Sequence, residues 1–193
     1  MNERNQIMTT ATTPINGIDT DAIKNLVREV KHDHRKGLAD FRVATQWKAG
    51  MNSETRVTSW SLGGRNLKHL FTIDIDEPRE LCGGDQSANP QEYLLAAMNA
   101  CMLNTFVAVC SLQGVELESL VFESRGQLDL RGFLGIDTKV RPGYDEIHYT
   151  IRVKGNGTPE QYRKAHEAMI ATSPNYFNMA NGIPLRANLV IED

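Results

Sequence analysis

The pattern of apolar and polar positions changes its period along the chain. After a polar tail over about the first 17 residues, helical spacing over residues 19–31 predicts a short amphipathic helix. Its apolar face carries Ile23, Leu26, Val27 and Val30. From Phe41 to Ile75, apolar and polar residues alternate in three runs separated by AGMNSE and GGRN. Alternation broken by Gly and Asn turns predicts an antiparallel three-stranded meander.

A long uncharged segment follows the meander. Residues 93–112 carry no formal charge, and their length matches a membrane span. A span would place several polar side chains in lipid, namely Asn99, Asn104, Thr105 and Ser111. We therefore interpret the segment as the buried central helix of a core. Asn89 as N-cap, Pro90 at the first helical position and Glu92 in a capping box predict its start, and Gly114 predicts its end.

The rest of the chain predicts two strands, VELESLVFESRGQLDLR and YDEIHYTIRVKG, a second helix over about 158–171, and a closing strand LRANLVIE. The order βββ, helix, ββ, helix, β is typical of an α+β fold. A chain of 193 residues is long enough for one well-filled core. We expect that domain over residues 38–193, preceded by a tail and short helix in residues 1–37.

Composition and charge exclude several function classes. The formal net charge is -3, so no broad basic surface is available for nucleic acid or an anionic membrane. The N-terminus, MNERNQIMTTATTP, has no apolar signal region, and we expect a cytoplasmic location. The chain has no Gly-rich nucleotide motif and no His or Cys spacing typical of a metal site, so we expect neither a cofactor nor a metal.

The three cysteines are Cys82, Cys101 and Cys110, an odd number that does not suggest a disulfide framework. Cys110 follows Cys101 by nine residues, which places it about half a turn around and roughly 13 Å along the same helix. It therefore cannot form a disulfide with Cys101 in that helix, and we interpret it as a core residue. Cys82, followed by Gly83 and Gly84 in a loop, is the candidate that could form a disulfide with Cys101, in the same chain or in another copy.

Several segments together resemble a known family. The segment IDEPRELCGGDQSANPQEYLLAAMNAC is similar to the part of OsmC-like proteins, the OsmC/Ohr family, in which a Gly-rich loop leads through Asn-Pro into the helix with the reactive cysteine. The likeness continues through GQLDLRGFLG, VRPGYDEIHYTIRV and TSPNYF. It implies an α+β OsmC-like fold with antiparallel sheets, a long buried central helix and an intertwined homodimer with paired sites at the subunit interface.

The resemblance also implies a chemistry, since peroxidase members reduce organic hydroperoxides through two cysteines, an arginine and a glutamate. Cys101 stands at the position of the attacking cysteine. Arg56, expected to close the turn between the first two strands, is the favoured counterpart of the arginine, and Arg65 in GGRN is the alternative.

Two departures from the family pattern concern the remaining positions. Gln91 stands where the hydroperoxide reductase branch has its glutamate, although Glu92 follows directly. Ser173 precedes Pro174 where the family has its second cysteine. The usual resolving thiol is therefore absent, and an external thiol reductant, or Cys82, would have to reduce the oxidised protein.

A peroxide is attacked by a thiolate, and a free cysteine with a pKa near 8.5 is mostly protonated at neutral pH. The first hypothesis is a thiol-dependent peroxidase in which an arginine stabilises the Cys101 thiolate, which becomes a sulfenic acid as the peroxide is reduced to an alcohol. The second is a non-catalytic protein that binds a small apolar ligand at the dimer interface. The two differ in whether Cys101 reacts.

Overall fold

The structure is a computed structural model that describes residues 13–192. The chain forms two compact units, one ending at Pro90 and one beginning at Gln91. Most of the expected N-terminal tail lies outside the described residues. The domain division expected between residues 37 and 38 remains a prediction.

The first unit opens with helix α1, Thr20–His32, which confirms the predicted amphipathic helix. The side chain of Asp19 caps it by accepting hydrogen bonds from the backbone N–H groups of Asp21 and Ala22, each at 3.0 Å. A short 3-10 turn, His34–Gly37, then leads into the sheet.

The predicted meander is present as an antiparallel sheet in the order β1-β2-β3. The strands are β1 Ala39–Ala49, β2 Asn52–Leu62 and β3 Arg65–Ile75. They are longer than the apolar runs indicated, because backbone pairing continues through polar residues such as Glu54, which lies opposite Gln46. The tight turn at Gly63 and Gly64 has positive φ angles of 56° and 77°, which favour glycine.

One face of this sheet is apolar and exposed. Cross-strand pairing places Phe41 opposite Trp60, Val43 opposite Val57, and Val57 opposite Phe71, so these side chains share a face. The rings of Phe41 and Trp60 stack with centroids 5.6 Å apart. Phe41 is nevertheless 76% exposed, so a large aromatic surface of the single chain is in contact with solvent.

A loop of fixed shape joins β3 to the next helix. The carboxylate of Asp76 is buried and accepts three backbone hydrogen bonds, from Glu77 at 2.9 Å, Gly84 at 3.0 Å and Gln86 at 3.3 Å. Burial raises the pKa of the Asp76 carboxyl, but the N–H donors of Gly84, Glu77 and Gln86 lower it by more, so its pKa lies below the ordinary value. The carboxylate thus holds both ends of the loop together.

The glycines of this loop are required by close backbone approach. A Cβ at Gly83 would lie 1.7 Å from the carbonyl oxygen of Glu77, and one at Gly84 would lie 2.8 Å from Oδ2 of Asp76. Cys82, immediately before them, is exposed and adopts a left-handed φ of 66°. The Gly-Gly pair is therefore needed for the tight packing of the loop on itself.

The second unit is a two-layer arrangement of helices on a two-stranded antiparallel sheet. Its elements are α2 Pro90–Leu112, β4 Leu117–Gly126, α3 Leu130–Phe133, β5 Ile147–Gly155, α4 Pro159–Thr172 and α5 Pro174–Ala180. The predicted start of α4 is confirmed by a complete capping box between Thr158 and Gln161.

The core of this unit is built on a stripe of α2 with four-residue spacing: Met98, Met102, Phe106 and Cys110. These residues pack against Ala165 and Met169 of α4 and the inner face of β4 and β5. By length and composition α2 could cross a membrane, with a mean hydropathy of 1.7. Within the single chain 28% of this apolar window is buried, and that part packs on β4, β5 and α4 as expected for a core helix.

The polar residues inside α2 also have protein partners. Nδ2 of Asn99 donates to the carbonyl of Phe122 at 3.4 Å, and Ser124 contacts the same side chain. The hydroxyl of Ser111 donates to the backbone of α2 itself at 2.8 Å. The contacts of Asn99 satisfy an amide that lipid would leave unpaired, whereas the Ser111 bond lies within the helix and is possible in either environment.

Two predicted strand segments were wrong. The end of the fourth predicted strand, QLDLR, does not continue β4, because the Asp129 side chain accepts the N–H of Arg131 and starts helix α3. The closing segment LRANLVIE has the composition of a strand, but no strand of residues 13–192 pairs with it. Leu185 in this segment is 92% exposed. Strand composition without backbone pairing to a neighbouring strand does not produce a strand.

We predict that Gly83→Ala lowers the free energy of unfolding by about 1–3 kcal/mol, because the added methyl group displaces the Glu77 backbone. The matched control is Gly143→Ala, where no atom lies within 4 Å of the added Cβ. It should change stability by no more than about 0.5 kcal/mol. Urea unfolding measures both, and equal effects would contradict the loop geometry.

Asp76→Asn should destabilise the protein at neutral pH, because an amide is a weaker acceptor for three N–H groups. The Asp76 pKa is lowered by folding, so its stabilisation is complete above the unfolded value of about 3.9 and is lost as the pH falls through the lower folded value. The stability difference between wild type and variant should therefore shrink between pH 5 and strongly acidic pH. A difference independent of pH in urea titrations would exclude this role.

Candidate active site

Cys101 lies near the middle of α2 and is half-buried. Its sulfur is contacted by the side chain of Ser173, whose Oγ–H donates to the Cys101 Sγ across 3.5 Å. Ser173 is only 1% exposed. The structure therefore brings a shielded hydroxyl to the one cysteine that the sequence identified as a nucleophile.

A second hydrogen bond fixes the corner that carries Ser173. Ser173 ends α4 and precedes α5, and the neighbouring Asn175 donates from its Nδ2 to the carbonyl oxygen of Ala97 at 3.0 Å. Ala97 lies one helical turn before Cys101, so the two contacts join the corner to adjacent turns of α2. The position of the hydroxyl relative to the sulfur is thus set by two points of attachment.

Ser173 is the residue that sequence reasoning missed as a possible functional group. The sequence marked it only as a position without a second cysteine. A serine immediately before a proline at the start of a helix signals an N-cap. That signal did not indicate that the hydroxyl faces Cys101.

Cys110 is a core residue, as predicted. It is packed with Phe106, Val115 and Ala165, and burial raises the pKa of its thiol above the usual value. The protonated thiol behaves as a small apolar side chain. Two cysteines of one helix therefore have different environments.

Arg56 lies inside β2 rather than at the turn, because the strand already begins at Asn52; the expected placement was wrong. Its Nε donates to Oε1 of Glu54 at 2.7 Å, and Lys48 lies 3.4 Å from the same oxygen. Hydrogen bonding from Arg56, with a further contribution from Lys48, lowers the pKa of Glu54. Sequence reasoning missed Glu54 as the carboxylate that orients this guanidinium.

The two candidate arginines lie on opposite faces of the first sheet. Arg56 alternates with Val57, which belongs to the apolar face, so its own side chain is on the polar face. Arg65, the first residue of β3, shares the side of Leu67, which pairs with Trp60 on the apolar face. A protein surface that covers one face would therefore meet one arginine and not the other.

Gln91 and Glu92 lie in the exposed first turn of α2. Helix geometry separates Gln91 from Cys101 by about 15 Å along the axis. Within one helix, these side chains can influence the sulfur only through a group placed between them, which is the role the resemblance gives to an arginine.

A separate open pocket of about 480 Å³ lies over β5 and α4. Its walls are mainly apolar, and its polar side chains include Arg163, Tyr149 and His166. The Tyr149 hydroxyl and Nε2 of His166 are hydrogen-bonded at 3.0 Å. Burial, together with the neighbouring Tyr176, raises the pKa of Tyr149. A ligand in this pocket would meet hydrocarbon walls and a few polar groups.

His148 contacts Glu146 at 2.8 Å, and His166 contacts the Tyr149 hydroxyl at 3.0 Å. Among residues 13–192, no group of three or more His, Cys, Asp or Glu side chains is arranged to hold a metal ion.

Comparisons with known proteins concern the family and the fold of the chain. The sequence profile described as OsmC-like protein matches residues 83–188, more than half of the chain. The uncharacterized protein YmaD of Bacillus subtilis (strain 168) is 30% identical over 86 residues, which are 45% of this chain and 51% of that protein. The chain thus matches about half the length of this curated relative.

Two solved structures share the fold. An OsmC-like protein from Mycoplasma pneumoniae has a TM-score of 0.56 at 12% identity, with 74% of this chain and 89% of the other covered. A protein from Psychrobacter arcticus 273-4, described as a candidate osmotic stress induced and detoxification response protein, has a TM-score of 0.54 at 12% identity, with 69% and 84% covered. At these identities the likeness concerns the fold.

Proposed function

Because the chain belongs to the OsmC-like protein family, we propose that it is a thiol-dependent peroxidase that reduces organic hydroperoxides through Cys101. The observation that carries the proposal is the environment of that sulfur: it is half-buried and accepts a hydrogen bond from Ser173, where the family pattern has a second cysteine. The detoxification response named for the Psychrobacter protein is compatible with this function.

The proposed reaction begins with attack of the Cys101 thiolate on the outer oxygen of the hydroperoxide. The O–O bond breaks, the alkoxide leaves as an alcohol after taking up a proton, and Cys101 becomes a sulfenic acid. An external thiol then attacks the sulfenic sulfur, releasing water and forming a mixed disulfide, and a second thiol restores Cys101. Two electrons pass from the thiols to the peroxide.

An arginine would stabilise the thiolate, and Arg56 and Arg65 are both candidates. Arg56 already has an orienting carboxylate in Glu54, so it is held by a charged pair without Gln91 or Glu92. Arg65 has the advantage of lying on the apolar face, which is the surface suited to burial. If Arg56 stabilises the thiolate, Gln91 and Glu92 are dispensable. If Arg65 does so, Gln91 or Glu92 supplies the group that orients it.

The reductant is either an external thiol or Cys82. Cys82 is exposed in a loop that Asp76 holds in one shape, so it is accessible to solvent while its backbone is fixed. A disulfide between Cys82 and Cys101, in one chain or across two, would replace the missing resolving thiol. If Cys82 takes no part, Cys101 is the one cysteine used in the reaction, and an external thiol reduces it.

We propose that the chain acts as a homodimer in the cytoplasm. The exposed apolar face of β1 to β3 and the exposed closing segment with Leu185 and Leu189 are surfaces that monomeric soluble proteins seldom leave open to water. The exposed face of α2 is lined by small side chains, including Ala97 and Ala100, which allow close helix packing. A second copy would bury these surfaces.

A second candidate function is binding of a small apolar ligand without turnover. The pocket over β5 and α4 favours it, since its walls are apolar and the hydrogen-bonded Tyr149 and His166 could orient a polar end of the ligand. This function does not require a reactive Cys101.

Cys101→Ser should reduce consumption of tert-butyl hydroperoxide, with dithiothreitol as reductant, to the uncatalysed rate, because serine forms no comparable nucleophile at neutral pH. Cys110→Ala, which removes a buried protonated thiol, should keep most of the activity. Peroxide loss is measured by a ferric-xylenol orange assay. Undiminished turnover by Cys101→Ser would exclude the peroxidase.

The peroxide assay also distinguishes the two candidate arginines. Loss of turnover in only one of Arg56→Ala and Arg65→Ala identifies the arginine that stabilises the thiolate.

Mass mapping after peroxide treatment without reductant identifies the group that Cys101 bonds to when it is oxidised. A Cys82–Cys101 disulfide supports internal resolution, whereas a sulfenic or sulfinic acid at Cys101 beside a free Cys82 excludes it.

Light scattering should give twice the mass of one chain for the wild type at micromolar concentration. Val43→Arg places a charge in the apolar face of the first sheet and should shift the protein toward monomer by at least about tenfold in dissociation constant. Thr150→Arg, at an exposed position of β5 opposite Glu123, is the control and should remain a dimer. A monomeric wild type would remove the dimer proposal.

A further inference from the structure

Ser173 occupies the N-cap of α5, yet its side chain makes no capping hydrogen bond. A serine at this position usually accepts a hydrogen bond from one of the first backbone N–H groups of the helix. Here the hydroxyl is directed at the sulfur of Cys101 instead. The helix start therefore loses a stabilising contact that the residue type could provide.

Other polar N-caps of the same chain do make their capping bonds. Thr158 accepts the N–H of Gln161 at 3.2 Å at the start of α4, and Asp19 and Asp129 cap α1 and α3 in the same manner. Ser173 differs in this respect from Thr158, Asp19 and Asp129. Its hydroxyl is also almost fully shielded from water, where a hydrogen bond to an ionised group is stronger than at the surface.

We propose that Ser173 is a positioning residue for Cys101. Its O–H donates to the sulfur, favours the thiolate over the thiol because hydrogen bonds to charged acceptors are the stronger ones, and holds the side chain in one rotamer. After oxidation the same hydroxyl can donate to the sulfenate oxygen. The effect of Ser173 on the Cys101 sulfur is inferred from their hydrogen bond alone. The importance of that effect for peroxide reduction rests on the proposed function.

Other titratable groups lie on the elements packed around this corner. Tyr149 on β5 hydrogen-bonds to His166 on α4, and its ring contacts Tyr176 on α5 edge-on at 6.4 Å. These polar side chains contribute to the electrostatics of the corner independently of Ser173. A test of Ser173 therefore has to be repeated with His166 replaced by glutamine.

The experiment uses the full chain with Cys82→Ser and Cys110→Ala, which leaves Cys101 as the one thiol. The rate of alkylation by iodoacetamide is measured from pH 5 to 10 by intact mass. Ser173→Ala should move the midpoint of the profile upward by about one pH unit and slow alkylation below the midpoint about tenfold. The shift should persist in the His166→Gln background.

Two variants serve as matched controls. Thr172→Ala removes a neighbouring hydroxyl that bonds to the backbone of α4 and should leave the profile unchanged. Ser173→Thr retains the hydroxyl and should restore the midpoint. A Ser173→Ala profile that coincides with that of the parent, or one that Thr172→Ala reproduces, would overturn the proposal.

If Ser173→Ala fails to fold by circular dichroism, Ser173→Cys tests the same contact. Peroxide treatment should then form a disulfide between Cys101 and the introduced thiol, seen as a loss of two hydrogens in mass. Absence of that disulfide would place the side chain away from the sulfur and overturn the proposal.

The outcomes separate this inference from the proposed function. A shifted profile in a protein that does not consume hydroperoxide supports the role of Ser173 and rejects the peroxidase. An unshifted profile in a protein that does consume hydroperoxide rejects Ser173 and leaves the peroxidase in place.

Discussion

The second unit depends on one packing interaction, the burial of the α2 stripe Met98, Met102 and Phe106 against β4, β5 and α4. Removing these side chains from water is the main driving force available to a sheet of only two strands. Because the stripe sets the rotation of α2 about its axis, it also determines where every other residue of the helix points. Cys110 continues the stripe and is buried, whereas Cys101 lies off it and meets the α4 to α5 corner.

Sequence alone predicted the elements whose signals are local. The alternation of β1 to β3, the uncharged length of α2 and the helical pattern that begins near residue 158 were sufficient, because each is contained within a short stretch of sequence. Signals that depend on distant partners were misjudged. β2 begins at Asn52 since β1 pairs with it from that residue, whereas the closing segment forms no strand since it pairs with none of the strands of residues 13–192.

The candidate site shows the same difference between local signals and contacts with distant residues. Cys101 was identified because the residues around it match a family pattern over a continuous segment, and Cys110 was assigned to the core from helix geometry. The partner of Cys101 was not identified, because Ser173 is 72 residues away and a local rule assigns its hydroxyl to capping. Glu54 was missed for a different reason: it was predicted to lie in a turn, whereas β2 begins at Asn52 and places Glu54 two residues before Arg56 on the same face.

The uncapped start of α5 has a dynamic consequence. A seven-residue helix has little intrinsic stability, and the missing cap removes about 1 kcal/mol more. Its first turn is held by the Asn175 bond to Ala97 and by the packing of Tyr176 on the core, and it is expected to fray before the rest of the unit. Since that turn covers one side of the Cys101 sulfur, its opening and closing would determine how often a bulky molecule can enter. The serine that holds the sulfur in place would thereby also make its cover easier to open.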